Sequence, residues 1–143
     1  MSKGLTALEG IRVLDVTQVM AGPFCAMQLC DMGADVIKVE PPEGDSTRRM
    51  AGASGTDSPG FNAVNRGKRG IVLDLKSSAG QGAFRRLLHR TDILIENYRP
   101  DVKRRLGIDY ASLAAALPTD RYTAVSGKSP TARVALDGRL HLT

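Results

Sequence analysis

The stretch Gly10–Glu40, GIRVLDVTQVMAGPFCAMQLCDMGADVIKVE, constrains the fold more than any other part of the chain. Ile11, Val13, Leu14 and Val16 form a short β-favouring run that ends on the polar pair Thr17-Gln18. Ala21-Gly22-Pro23 then turns the chain, and Pro23 fits the first turn of a helix, where a missing N–H costs nothing. From Phe24 to Met32 the apolar residues Phe24, Met27, Leu29 and Met32 recur at helical spacing, which predicts a helix. Gly33 is placed to close that helix as its C′ residue. Val36-Ile37-Lys38-Val39-Glu40 reads as a second strand. Two strands joined by such a helix predict a right-handed βαβ unit with parallel strands. Ligands of parallel sheets gather beyond the strand C-termini, which puts Val19–Pro23 and Glu40–Gly44 at the mouth of a site.

The same alternation continues. Gly70–Leu75 reads as a third strand, and Ser77 or Ser78 can cap a helix running to about Arg90. Phe84, Leu87 and Leu88 lie on the buried stripe of that helix, with Arg85 and Arg86 outside. Asp92–Glu96 is a fourth strand, closed by Asn97-Tyr98-Arg99-Pro100. Pro100 is expected to start a short helix, Asp101–Leu106, stopped by Gly107, then comes another over Tyr110–Leu117 and a fifth strand over Tyr122–Val125. The fold class is therefore α/β, with a mostly parallel sheet. Between the second and third strands, residues 41–70 are rich in Gly, Pro, Ser and Asp, show neither periodicity, and read as a long loop.

Bulk properties narrow the function classes. A chain of 143 residues suits one domain with a genuine core. No apolar run approaches the roughly 20 residues of a membrane span. The first ten residues lack the apolar segment of a secretory signal, which makes a cytoplasmic location the default expectation. Cys25 and Cys30 stand five apart, a spacing that favours neither a disulfide nor a metal site, and with only His89 and His141 a zinc site lacks ligands. The net charge of +5 admits nucleic acid, anionic membrane or an anionic small molecule as partner. Aromatic residues make up only 4% with no Trp, and the basic residues are dispersed, which argues against nucleic acid and leaves a polyphosphate ligand open.

Two nucleotide motifs fail. A dinucleotide fingerprint needs G-x-G-x-x-G after the first strand, and Ala21-Gly22-Pro23 supplies one glycine, although Glu40 stands about where a ribose-binding acid would. Gly127-Lys128-Ser129 hints at a P-loop, but Tyr122 occupies the position of its first glycine.

Three blocks carry a resemblance: LEGIRVLDVTQVMAGPFCAMQLCDMGADVIKVEPPEGDSTR, NRGKRGIVLDLKSSAG and ILIENYRPDVKRRLGIDYASL. In this order, from Leu8 to about Gly127, they resemble the N-terminal part of the family III CoA-transferases. That group includes formyl-CoA:oxalate and carnitine CoA-transferases and shares its fold with the 2-methylacyl-CoA racemases. The resemblance implies a Rossmann-like CoA-binding region over residues 1–127, followed by a non-matching tail, 128–143, whose residues around Asp137-Gly138 read as a short hairpin or a disordered end.

It also implies a chemistry. In the family an aspartate attacks the acyl-CoA carbonyl, and a mixed anhydride and an enzyme–CoA thioester follow before CoA passes to a carboxylic acid. The segment bearing that aspartate lies beyond the matching residues. Asp137 reads as a turn residue, and His89 and His141 do not match the racemase acid–base pattern, so no catalytic residue is assigned. No permanently bound cofactor is implied; CoA or acyl-CoA enters as substrate, with a carboxylic acid as its partner. Family subunits are longer, ring-like and interlocked in dimers, which implies a homo-oligomer or association with a longer homologous chain. The chain by itself is expected not to turn over. The alternatives are a non-catalytic CoA-binding or interaction module, or a piece of a racemase relative.

For CoA binding the resemblance implies a definite set of positions. Val19, Met20 and Ala21 match a turn along the pantetheine path. Leu73 and Lys76 match a strand end at the nucleotide. Asn97, Tyr98 and Arg99 match a triplet after a strand, Arg105 a phosphate-binding arginine, and Lys128 the next strand end. Leu73 and Tyr98 can equally be core, Arg105 a helix-end cation, and Asn97 a turn former. Arg48 and Arg49 are either phosphate contacts or solvated surface. Pro41 stands where the family often has a basic residue. For Asp15, a local structural role is the stronger reading.

Overall fold

The computed structural model describes residues 6–50, 58–114 and 122–124. Among these residues five strands form one parallel sheet: β1 (Arg12–Asp15), β2 (Asp35–Glu40), β3 (Arg69–Val72), β4 (Ile93–Glu96) and β5 (Tyr122–Ala124). Their spatial order is β3-β2-β1-β4-β5, so the chain reverses its winding between β1 and β4. At such a switch point the loops leaving two adjacent strands diverge and open a crevice. The helices are α1 (Ala21–Asp31), α2 (Pro59–Asn65), α3 (Ser78–Leu88), α4 (Pro100–Arg105) and α5 (Tyr110–Leu113).

Strand alternation divides the core in two. Leu14, Val16, Val39 and Leu94 pack with Phe84 and Leu88 of α3 and with Ile108 and Leu113. On the other face, Val13, Val36 and Ile95 pack with Ala26 of α1 and with Ala34. Local signals set the boundaries. Ser77 accepts from the Gly80 amide at 3.0 Å and starts α3, and Gly107, at φ +64°, follows the end of α4.

Two expectations are corrected. First, α1 begins at Ala21, and its buried residues are Gly22, Pro23, Ala26 and Met27, whereas Phe24 and Met32 are 51% and 50% exposed. The reason is close approach: a Cβ on Gly22 would lie 2.4 Å from Thr17 Cβ, so the small residues define the packed face and turn the larger ones outward.

Second, residues 41–70 are not one loop. They hold a 3₁₀ turn, Ser46–Arg49, capped by Asp45, and then α2, capped by Ser58 with Pro59 as its first residue. Both elements are too short to show a period. As expected, Pro100 opens α4, which ends at Arg105. The predicted helix 110–117 is helical over Tyr110–Leu113; its last residues, the end of the fifth strand at Val125 and the 128–143 tail lie outside the described residues.

Candidate functional site

The turn between β1 and α1 sits at the switch point and is tied down residue by residue. Asp15 ends β1 fully buried, and its carboxylate accepts from the Thr17 amide at 2.9 Å and from the Thr17 hydroxyl. Asn97, just past β4, grips Gln18 at both ends: its Oδ1 accepts from the Gln18 amide at 2.9 Å, and its Nδ2 donates to the Gln18 carbonyl at 2.7 Å. Gln18 Nε2 donates to the Tyr98 hydroxyl at 2.9 Å. Held in this way, Val19 adopts φ +71°. A β-branched residue in the left-handed region is strained by about 1–3 kcal/mol and persists only where the surroundings over-determine it. Val19, Met20 and Ala21 are all exposed, so the turn presents an apolar edge beside the crevice.

Beneath the turn lies a buried ionic lattice. Lys68 Nζ contacts Asp15 Oδ2 and Pro23 O, each at 2.8 Å, and Asn65 Oδ1 at 2.9 Å. Lys38 Nζ donates to Thr17 O at 3.0 Å and faces Asp45 Oδ2 at 3.0 Å. Glu40 accepts from the Asp45 amide at 3.0 Å and takes two bonds from Arg48, at 2.7 and 2.6 Å. Burial drives the Glu40 and Asp45 carboxyls up. For Glu40 the Arg48 and Asp45 hydrogen bonds and the nearby cations outweigh it, and for Asp45 the Thr47 hydrogen bonds and Lys38 do, so both lie below the usual range. Desolvation lowers the Lys68 ammonium, against the pull of Asp15.

Arg48, offered above as a phosphate contact or solvated surface, is engaged by protein partners. It is half-buried on Glu40, and its guanidinium stacks 3.8 Å from the Phe61 ring centroid. Arg49 is exposed and donates to the Glu43 carbonyl at 3.0 Å.

On the α3 side of the sheet, the ends of β1, β2 and β3 border a cleft of about 220 Å³. Val16, Val39, Leu73 and Leu75, with Tyr98, Val102 and Leu106 from the segment after β4, supply its apolar walls, and Glu40, Glu43, Lys76 and Arg105 its charged lining. One side chain joins the two walls: Gln81 Nε2 donates to Leu75 O at 2.8 Å and to Leu106 O. Arg105 ends α4 beside Lys103 and Arg104, so the cations gather where the helix C-terminus favours them. Tyr98 is largely enclosed, and burial raises its phenol.

Of the ten positions expected at a CoA site, Leu73, Lys76, Tyr98 and Arg105 line this one cleft. Val19, Met20 and Ala21 form the turn at the switch point, tied to the cleft through the Gln18–Tyr98 bond. Asn97 spends its amide on the turn backbone. Arg99 is exposed at the start of α4, 4.0 Å from Asp101, and is not part of the cleft wall. Lys128 lies outside the described residues. Sequence reasoning missed Lys38, Asp45 and Lys68, although a lysine inside the apolar strand VIKVE was a visible signal.

A parallel α/β sheet with a crevice at its switch point, lined by Lys76 and Arg105 as well as Glu40 and Glu43, defines a class of small-ligand sites. The comparisons narrow that class. The sequence profile of CoA-transferase family III matches residues 8–128, and the chain belongs to this family. It is 42% identical to a succinate–glutarate CoA-transferase of Agrobacterium fabrum, over 87% of this chain and 33% of that protein. It is also 42% identical to an acetyl-CoA:oxalate CoA-transferase of Acetobacter aceti, over 89% of this chain and 33% of the relative. A crystal structure of a CaiB/BaiF family protein from Brucella suis superposes with a TM-score of 0.80 at 38% identity, covering 92% of this chain and 36% of that one. The chain thus spans about a third of the length of the curated relatives it matches. Among the described residues, no helix is long and apolar enough to cross a membrane.

Proposed function

We propose that this chain provides the CoA-binding part of a family III CoA-transferase, which moves CoA between an acyl-CoA and a carboxylic acid. The observation that carries the reading is the convergence of Leu73, Lys76, Tyr98 and Arg105 on one cleft beside the Val19–Ala21 turn. CoA is a nucleotide bearing phosphates and a long, neutral pantetheine arm. Lys76 and Arg105 meet the first requirement, with Arg105 able to offer a phosphate two parallel hydrogen bonds. The apolar wall and the exposed turn meet the second.

Transfer through an aspartyl anhydride needs a carboxylate that is free to attack. Asp15 and Asp45 are fully buried and engaged by Lys68 and Lys38, so neither fills that role. By resemblance to the family, the attacking aspartate belongs to a segment outside the matched residues 8–128 or to an associated chain, and the proposed assembly is an oligomer. The relatives' names point to short dicarboxylic acids as acceptors.

Calorimetric titration of the chain with CoA, 3′-dephospho-CoA and NAD tests the site. Saturable CoA binding is expected, weaker without the 3′-phosphate and about tenfold weaker in Arg105→Ala, the loss of one charge-assisted contact. Equal affinity for NAD and CoA, or no effect of Arg105→Ala, contradicts the assignment.

A further inference from the structure

The 17–23 turn carries two backbone carbonyls that end on buried ammonium groups. Thr17 O, at its entry, accepts from Lys38 Nζ at 3.0 Å, and Pro23 O, in the first turn of α1, accepts from Lys68 Nζ at 2.8 Å. Both lysines are almost wholly enclosed, with side-chain exposures of 3% and 1%. A buried ion pair is seldom the most stable filling for such a space, since apolar residues of similar volume usually do as well or better. A lysine can nevertheless do what a methionine cannot, which is to donate to two or three fixed acceptors at once. Each lysine does so here. Lys38 bridges Thr17 O and Asp45, and Lys68 bridges Pro23 O, Asp15 and Asn65. Between the two anchored carbonyls sits Val19, held at φ +71°.

We propose that Lys38 and Lys68 are positioning residues that pin the two ends of the 17–23 turn, keep Val19 in its left-handed conformation, and so set the affinity for the pantetheine arm without touching it. The ligand half of this statement rests on the CoA reading above; the pinning does not. Their other partners give the device a wider reach. Asp45 caps the 3₁₀ turn Ser46–Arg49, and Asn65 is the last residue of α2, so both elements between β2 and β3 are coupled to the geometry of the turn.

The test uses paired variants that leave no buried charge unmatched: Lys38→Met with Asp45→Asn and, independently, Lys68→Met with Asp15→Asn. Two ligands are compared, CoA and adenosine 3′,5′-bisphosphate, which keeps nucleotide phosphates and lacks the pantetheine arm. Each paired variant is expected to melt within about 5 °C of the parent. Its Kd for CoA should rise about tenfold, because a loosened turn must be reordered on binding, while the bisphosphate Kd stays within about twofold. In the ligand-free protein, amides 18–22 should exchange about tenfold faster, with the strand amides unchanged.

Equal weakening of both ligands would reduce the lysines to general structural groups, and an unchanged CoA Kd would remove them from binding. Unchanged exchange at 18–22 would overturn the pinning itself. If the parent binds neither ligand, the CoA reading fails, and the exchange measurement still decides whether the lysines hold the turn.

Discussion

The two faces of the sheet solve the same burial problem differently. Under α3, the interior is apolar: Leu14, Val16, Val39 and Leu94 meet Phe84 and Leu88, and Glu96 enters at the end of β4 with Lys103 2.8 Å away. Under α1 the same strands begin apolar, with Val13 and Val36, and end ionic, with Asp15, Lys38 and Glu40. Alternation makes the contrast sharp, since Leu14 and Asp15 are neighbours in sequence and face opposite ways. Burial of apolar area stabilises without specifying direction, whereas ammonium groups and carboxylates fix particular backbone atoms in place. The α3 face supplies stability, and the ionic end of the α1 face supplies geometry to the turn at the switch point.

The largest effects should come from the centre of either face. Phe84→Ala removes a ring with no exposed surface and should cost about 3–5 kcal/mol in denaturant unfolding. Lys68→Met alone should cost a similar ~3–5 kcal/mol, because it strands the Asp15 charge. The two differ in what repairs them. Adding Asp15→Asn should recover at least half of the Lys68→Met loss, and no charge change should recover the Phe84 loss. If Asp15→Asn recovers nothing, the ionic end contributes stability much as an apolar core does.

Gly22→Ala probes the junction between the faces and the turn. Its Cβ would fall within 2.4 Å of Thr17 Cβ, so about 1–3 kcal/mol of overpacking is expected in a thermal melt.

Acid titration separates the faces next. Glu40 and Asp45 have values held below their ordinary ones, so the folded state binds fewer protons than the unfolded chain. The stability they contribute is present above the unfolded carboxylate range, about pH 4, and is lost as pH falls through their depressed values. Urea midpoints measured at falling pH should show this loss, and Glu40→Gln should flatten it; an identical slope in the variant would contradict the assignment.

The smallest effect should be at the exposed pair Arg69–Asp35 on the β2–β3 edge. Arg69→Ala should change stability by no more than about 1 kcal/mol, with salt erasing the difference.

Much of this was legible in the sequence because it depends on neighbours along the chain. The strands follow from β-branched runs, α3 from its Ser77 cap and the Phe84–Leu88 stripe, and the parallel sheet from the alternation of elements. The orientation of α1 was not legible. Its apolar residues are spread around the helix, and the packed face was chosen by how closely Gly22 and Ala26 let the helix approach β1, which periodicity does not register.

The cleft was legible only through resemblance. Lys76 and Arg105 are far apart in sequence, and no local pattern brings them to one cleft. Lys38 and Lys68 were missed for the converse reason: a lysine is normally solvated, and its burial here depends on carboxylates 7 and 53 residues away.

The most direct test of the account is amide hydrogen exchange of the chain with and without saturating CoA. The account predicts slowed exchange in three separated segments, residues 18–22, 73–76 and 98–106, with the edge of β3 at Arg69–Gly70 unaffected. Protection confined to other surfaces, or none at a CoA concentration that saturates calorimetric binding, would contradict a CoA path running from the cleft to the turn.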